Sequence, residues 1–173
     1  ASRHMITEQS SREKKAAALN SVGAAFFLTG LKVVVGVLSG SIGILAEAAH
    51  SGLDFAAAVV TYVAVRAYGK PADREHPYGH GKVENFSALI ETVLLFLTCA
   101  WIIYEAVVRI FFKAVKVDPS LWAFLVMVVS IGVDVSRSRA LMRTAKKHHS
   151  QALEADALHF STDVWSSSVV LLG

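Results

Sequence analysis

Long apolar blocks separated by short polar links constrain the fold of this 173-residue chain more than any other feature. A helix needs about 20 apolar residues to cross the hydrocarbon core of a bilayer, and several blocks approach or exceed that length. Hydrophobic residues make up 54% of the chain and charged residues only 18%. A soluble domain would not concentrate its apolar residues in this way. The sequence therefore predicts an all-α, polytopic bundle of transmembrane helices embedded in a lipid bilayer.

Five membrane spans are predicted from the apolar blocks. Basic residues gather at the ends of these blocks, which argues against nucleic-acid binding despite the net charge of +3. The positive-inside rule instead places the N-terminus in the cytoplasm. Residues 1–15, which open with an expression scar, are predicted to form a cytoplasmic segment, and residues 16–173 the transmembrane domain. The predicted spans are 17–38, 42–68, 85–111, 121–135, and a fifth that begins near residue 151 and is still apolar at residue 173.

Two His-x-x-x-Asp pairs lie within these apolar blocks, His50 with Asp54 and His159 with Asp163. Residues four apart share one face of a helix. An aspartate at membrane depth costs about 2.5–3.5 kcal/mol on insertion scales, so such residues are candidates for function. Two imidazoles and two carboxylates suit a four-coordinate zinc site, because the carboxylates neutralise the ion. A single pair is equally compatible with a polar contact between helices, but two pairs favour a metal site.

The loop between the second and third spans contains Asp73, His76 and His80. One carboxylate and two imidazoles can bind zinc and leave a fourth position open. From the spacing alone, ordinary solvated loop residues are the favoured interpretation, and a metal site is the alternative.

Other charged residues in the spans are interpreted as structural. Lys32 either snorkels to a membrane interface or pairs with an acid on a neighbouring helix, and snorkelling is favoured. Asp134 lies three residues before Arg137, which predicts an ion pair within one helix rather than a ligand. The sequence contains no hydrolase, metalloprotease or phosphate-loop motif, so no enzymatic activity is predicted.

Three motifs of this sequence, taken in order, resemble those of a known protein family. They are Gly40-Ser41-x-x-Ile44-Leu45-Ala46-Glu47-x-x-His50-Ser51-x-x-Asp54, His76-Pro77-Tyr78-Gly79-His80-Gly81-Lys82-x-Glu84 and Ala155-Asp156-Ala157-x-His159-x-x-Thr162-Asp163. In this order they resemble the cation diffusion facilitators, a family of proton-coupled exporters of divalent transition metals. The resemblance implies a homodimer with six transmembrane helices per chain, cytoplasmic termini and a C-terminal cytoplasmic domain. Since five spans are predicted here, the sixth helix and that domain are expected to be absent from this chain.

The resemblance also implies the metal sites and the reaction. It places an intramembrane transport site on His50, Asp54, His159 and Asp163, and an accessory loop site on Asp73, His76 and His80. The paired histidines and aspartates look like the zinc-preferring pattern, so Zn²⁺ is the expected transported substrate, exchanged for protons by alternating access in a bacterial inner membrane. Two alternatives stay open: a metal-binding membrane subunit or sensor without transport, and a transporter that prefers Fe²⁺, Mn²⁺ or Cd²⁺.

Overall fold

A computed structural model describes residues 2–68, 81–112 and 121–172, and all regular elements in those ranges are α-helices. This confirms the predicted all-α bundle. Four helices are long and apolar enough to cross a membrane, and α5 falls short because its acidic and hydroxyl side chains lower its hydropathy. The helices are α1 (Ser2–Ser39), α2 (Ile42–Tyr68), α3 (Gly81–Phe112), α4 (Leu121–His148) and α5 (Gln151–Leu172).

A tight turn at Gly40 and Ser41 reverses the chain between α1 and α2. Gly40 has a φ of 64°, in the left-handed region that glycine adopts readily. The Ser41 N–H donates to the Gly36 carbonyl at 3.2 Å, which satisfies one of the last carbonyls of α1. The Ser41 hydroxyl accepts from the Ile44 N–H at 3.4 Å and so caps α2. Both predicted ends of α2 are confirmed.

Helices α1 and α2 approach each other closely at Gly36. A Cβ atom on this residue would lie 2.8 Å from Leu45 Cδ2 and 3.2 Å from the Leu45 backbone nitrogen. A side chain at residue 36 would therefore require Leu45 to move. The contact fixes the position of α2 relative to α1 near the turn.

Helix α1 begins well before its apolar block, at Ser2 rather than near Ala17. Its polar part packs against the end of α4: Glu13 Oε2 lies 2.5 Å from Lys147 Nζ and 2.7 Å from His148 Nε2. The first polar segment of the chain is therefore a helical extension with a partner.

A two-residue turn at His149 and Ser150 joins α4 to α5, which makes these helices an antiparallel pair. The Ser150 N–H donates to the Ala145 carbonyl at 3.1 Å. The Ser150 hydroxyl donates to the buried Glu84 carboxylate, whose other oxygen lies 3.1 Å from Lys14 Nζ. This buried ion pair ties the beginnings of α3 and α5 to α1.

Helices α2 and α5 are central in the described bundle, because each has extensive contacts with three other helices. Small side chains in the core let helix backbones approach closely. Alanine is the commonest residue in the core between the helices. Its buried members are Ala18, Ala25, Ala58, Val65, Leu141, Ala145, Ala152, Leu153, Ala157 and Phe160.

Candidate metal site

Two side chains from α2 and two from α5 converge between these helices. His159 Nε2 lies 3.2 Å from Asp54 Oδ1 and 3.7 Å from Asp163 Oδ2. His50 Nε2 lies 3.6 Å from Asp163 Oδ1 and 3.9 Å from Asp54 Oδ1. Each histidine therefore faces a carboxylate from its own helix and one from the other helix. The structure brings together all four residues that the sequence proposed for the intramembrane site.

The separations of these donor atoms are close to those around a single small cation. In a tetrahedron with bonds of about 2.0–2.1 Å, ligand atoms lie about 3.3–3.4 Å apart. The four measured pairs span 3.2–3.9 Å. Donor atoms of His50, Asp54 and Asp163 also all lie within 4.8 Å of one another. His159 is not part of this group of three, so binding one ion by all four residues requires the His159 imidazole to move toward His50.

Exposure differs sharply among the four side chains. His159 is 3% exposed, Asp163 8% and Asp54 12%, whereas His50 is 32% exposed. The α5 ligands thus form the closed side of the site. His50 forms the side that water or an ion reaches.

The Asp163 carboxylate is buried without the hydrogen bonds that it needs. Both of its oxygens lack a hydrogen-bond partner among the described residues. Buried polar atoms are normally satisfied, and an unsatisfied carboxylate oxygen is especially costly. A bound cation satisfies both the charge and the lone pairs of this residue. Asp163 is therefore the member of the group whose surroundings most favour a metal ion.

Lys32 supports the site from α1. It is only 6% exposed, and its Nζ donates to Ser51 Oγ at 2.7 Å and contacts Glu47 Oε2 at 3.4 Å. The predicted snorkelling of Lys32 is wrong. Because α2 presents a hydroxyl and a carboxylate opposite this residue, its ammonium is compensated without reaching an interface. Lys32 thus holds the turn of α2 that carries His50.

The predicted ion pair between Asp134 and Arg137 is confirmed, with Nη1 and Oδ1 3.3 Å apart. Sequence reasoning missed the other partners of Arg137, because they come from α1 and α5. It also did not anticipate that Glu91 on α3 would be fully buried and accept a hydrogen bond from the Thr61 hydroxyl at 2.6 Å.

The second predicted site lies on Asp73, His76 and His80. These three residues fall outside the described ranges. The loop site remains a prediction from the sequence.

The fold and the site together define a multi-pass membrane protein with a cluster of histidine and aspartate side chains between its helices. The chain belongs to the cation efflux family, since the model of the cation efflux transmembrane domain matches residues 18–173. Proteins of this family are transporters and not enzymes.

Several curated proteins are similar to this chain. An uncharacterized transporter of Synechocystis is 34% identical over 155 residues, which cover 90% of this chain and 50% of the relative. The magnetosome protein MamB of Magnetospira is 34% identical over 153 residues, which cover 86% of this chain and 52% of the relative. The cation-efflux pump FieF of Yersinia enterocolitica is 31% identical over 166 residues, which cover 95% of this chain and 54% of the relative. The chain spans about half the length of the curated relatives it matches.

Proposed function

We propose that this protein exports divalent transition metals through the site between α2 and α5, with Zn²⁺ as the preferred substrate and protons moving in the opposite direction. The observation that carries the proposal is the convergence of two imidazoles and two carboxylates, with nitrogen–oxygen distances of 3.2–3.9 Å. Membership of the cation efflux family supports a transport function. The relatives named as a transporter and a cation-efflux pump support it as well.

The donor set favours zinc among the divalent ions. Imidazole nitrogen suits zinc, whereas manganese and calcium prefer a shell of oxygen ligands. Two ionised carboxylates balance the charge of one divalent ion, so the loaded site is nearly neutral at membrane depth. Imidazole and carboxylate also suit Fe²⁺, and iron is therefore the second candidate substrate. The relative transport rates of Zn²⁺ and Fe²⁺ decide which of the two metals is the preferred substrate.

Proton exchange follows from the chemistry of the ligands. Histidine binds a metal only when the ligating nitrogen carries no proton, so metal binding at His50 and His159 displaces protons. An unperturbed histidine titrates near pH 6.5, within the range that cells maintain. Where the site opens to a more acidic side, protons compete with the ion and release it. His50 is the accessible ligand and is the point at which this competition begins.

The orientation and the assembly complete the proposal. Basic residues in the first helix and at the end of α4 support a cytoplasmic N-terminus. The loop with Asp73, His76 and His80 then lies on the same side, where it can collect metal for the intramembrane site. Large apolar side chains on α3 point outward, which supports contact with lipid and with a second copy in a homodimer. They include Phe86, Leu89, Phe96 and Trp101.

Flux measurements test the proposal directly. The intact protein is reconstituted into liposomes, a pH gradient is imposed, and uptake of Zn²⁺, Fe²⁺, Mn²⁺ and Cd²⁺ is followed one metal at a time. We expect Zn²⁺ uptake that depends on the gradient and is lost in His159→Ala. Glu154→Gln, which changes an exposed residue of the same helix, serves as the control. Zinc binding without flux would overturn the proposal and favour a metal-binding subunit or sensor.

A further inference from the structure

A second group of buried polar side chains lies beside the candidate metal site and contains none of its ligands. Asp156 on α5 is 0% exposed, and its Oδ2 accepts a hydrogen bond from the Ser21 hydroxyl at 3.2 Å. The Ser21 oxygen in turn accepts from Arg137 Nη2 at 3.0 Å and Nε at 3.3 Å. Arg137 Nη1 donates to Asp134 Oδ1 at 3.3 Å. These four side chains form one network that joins α1, α4 and α5.

The charges of this network do not balance without a proton. Arginine keeps its positive charge in proteins, so one guanidinium faces two carboxyl groups. With both carboxyl groups ionised, the network would carry a net negative charge inside the bundle, which is costly. Asp134 accepts a hydrogen bond from the guanidinium directly, whereas Asp156 accepts its hydrogen bond from Ser21. Asp156 Oδ1 also lacks a hydrogen-bond partner among the described residues. Asp156 is therefore the carboxyl group that holds the proton.

Charges on the neighbouring helices act on this network, and Lys32 of α1 acts on Asp134. Arg137 faces Asp156 from α4, Asp54 from α2 and Glu91 from α3, and His159 lies one turn further along α5. The negative charge of Asp54 discourages an ionised Asp156 as long as the metal site is empty. A divalent ion bound by Asp54 and His159 makes the electrostatic potential at Asp156 more positive. Metal binding then favours an ionised Asp156.

A cleft of about 310 Å³ between α1 and α4 borders this network. Ser21 and Arg137 line it, together with Asn20, Ser136 and several small apolar residues. The exposed Asn20 and Ser136 make its outer part polar. The hydroxyl that donates to Asp156 therefore borders the cleft.

Arg137 also links this network to the metal site through an aromatic ring. Its guanidinium carbon lies 3.5 Å from the centre of the Phe160 ring. The same ring contacts the imidazole of His159 edge-on, with centroids 5.3 Å apart. If a change in the charge of Asp156 moves Arg137, the Phe160 ring moves with it, and this ring packs against the proposed metal ligand His159.

From this network we infer that Asp156 is a proton-binding site separate from the metal ligands. It releases its proton toward the cleft when a divalent ion binds between α2 and α5, and it regains the proton when the ion leaves. The inference rests on the proposed function, because it gives part of the proton exchange to a named carboxyl group.

Proton counting on the intact protein tests this role. Purified protein in a weakly buffered solution is titrated with Zn²⁺, and the protons released per bound ion are measured with a pH indicator. We expect Asp156→Asn to bind Zn²⁺ but to release up to one proton fewer per ion. Asp156→Glu should restore the release, and Glu154→Gln on the exposed side of α5 should match the unmodified protein.

An unchanged proton count in Asp156→Asn, with Zn²⁺ still bound, would overturn the inference and leave the proposed function standing. Failure of the unmodified protein to bind any divalent metal would instead overturn the proposed function. If Asp156→Asn does not fold, infrared difference spectra of the unmodified protein with ¹³C-labelled aspartate decide. Zn²⁺ should remove the band of a protonated aspartate, and a spectrum without that loss would refute the inference. A proton count that depends on Na⁺ would identify a sodium ion as the occupant and refute it too.

Discussion

Removing the two histidines of the candidate metal site should have unequal effects, because their surroundings differ. His50 is 32% exposed, so water can take its place as a ligand after His50→Ala. Changes around a metal ligand typically cost 10- to 100-fold in affinity, and we expect a loss of about this size for His50→Ala. At 1.4 kcal/mol per tenfold change, this corresponds to about 1.4–2.8 kcal/mol.

His159→Ala should be more damaging. The side chain is 3% exposed, packs against Phe160, and lies 3.2 Å from Asp54 Oδ1. Water has poor access to the vacated position, so the affinity should fall by more than about 100-fold. Loss of the partner of a buried carboxylate should also lower the stability of the metal-free protein by about 1–3 kcal/mol.

Competition between the purified protein and a fluorescent zinc chelator measures the affinities, and thermal unfolding without metal measures the stability. His149→Asn is the matched control, because His149 is exposed and asparagine tolerates its left-handed backbone with φ of 51°. The control should bind zinc like the unmodified protein. If His50→Ala costs as much affinity as His159→Ala, the side of the site formed by His50 is not its accessible side.

Three further predictions address selectivity, the loop and helix packing. His50→Asp replaces an imidazole nitrogen by a harder carboxylate, so Zn²⁺ flux should persist and Cd²⁺ or Mn²⁺ flux should rise in proteoliposomes; an unchanged order of metals would contradict a role in selectivity. Joint replacement of His76 and His80 by alanine should remove one bound zinc per chain, measured by metal analysis, and leave the intramembrane zinc; loss of both would show that the loop is not a separate site. Gly36→Ala should destabilise the protein by about 1–3 kcal/mol in thermal unfolding, because the new Cβ meets Leu45. Adding Leu45→Ala should recover part of this loss. An unchanged stability of Gly36→Ala would contradict the close contact of α1 and α2.

The parts of the fold set by local sequence were predictable. The bounds of α2 followed from the apolar block and from a serine and glycine turn whose hydrogen bonds depend only on neighbouring residues. The pairing of Asp134 with Arg137 is likewise an interaction within one helix. The start of α1 was not predicted, because its polar extension is stabilised by contacts with the distant end of α4. Hydropathy carries no information about such partners.

The candidate site shows the same division. The spacing of His and Asp within each motif predicted that each pair shares a face, and chemical reasoning then favoured one shared site. How closely the pairs approach depends on the packing of α2 against α5, which a single sequence does not report. Lys32 illustrates the limit. Whether Lys32 snorkels or pairs depends only on whether a neighbouring helix has an acidic residue opposite it, and α2 has Glu47 there.

Anomalous X-ray diffraction at the zinc edge tests the central claim most directly. Crystals of the intact protein grown with Zn²⁺ should show an anomalous peak between α2 and α5, about 2.0–2.2 Å from the donor atoms of His50, Asp54, His159 and Asp163. The peak should disappear in crystals of His159→Ala. A zinc-loaded protein with no peak between these helices, and with its ions bound elsewhere, would contradict the account.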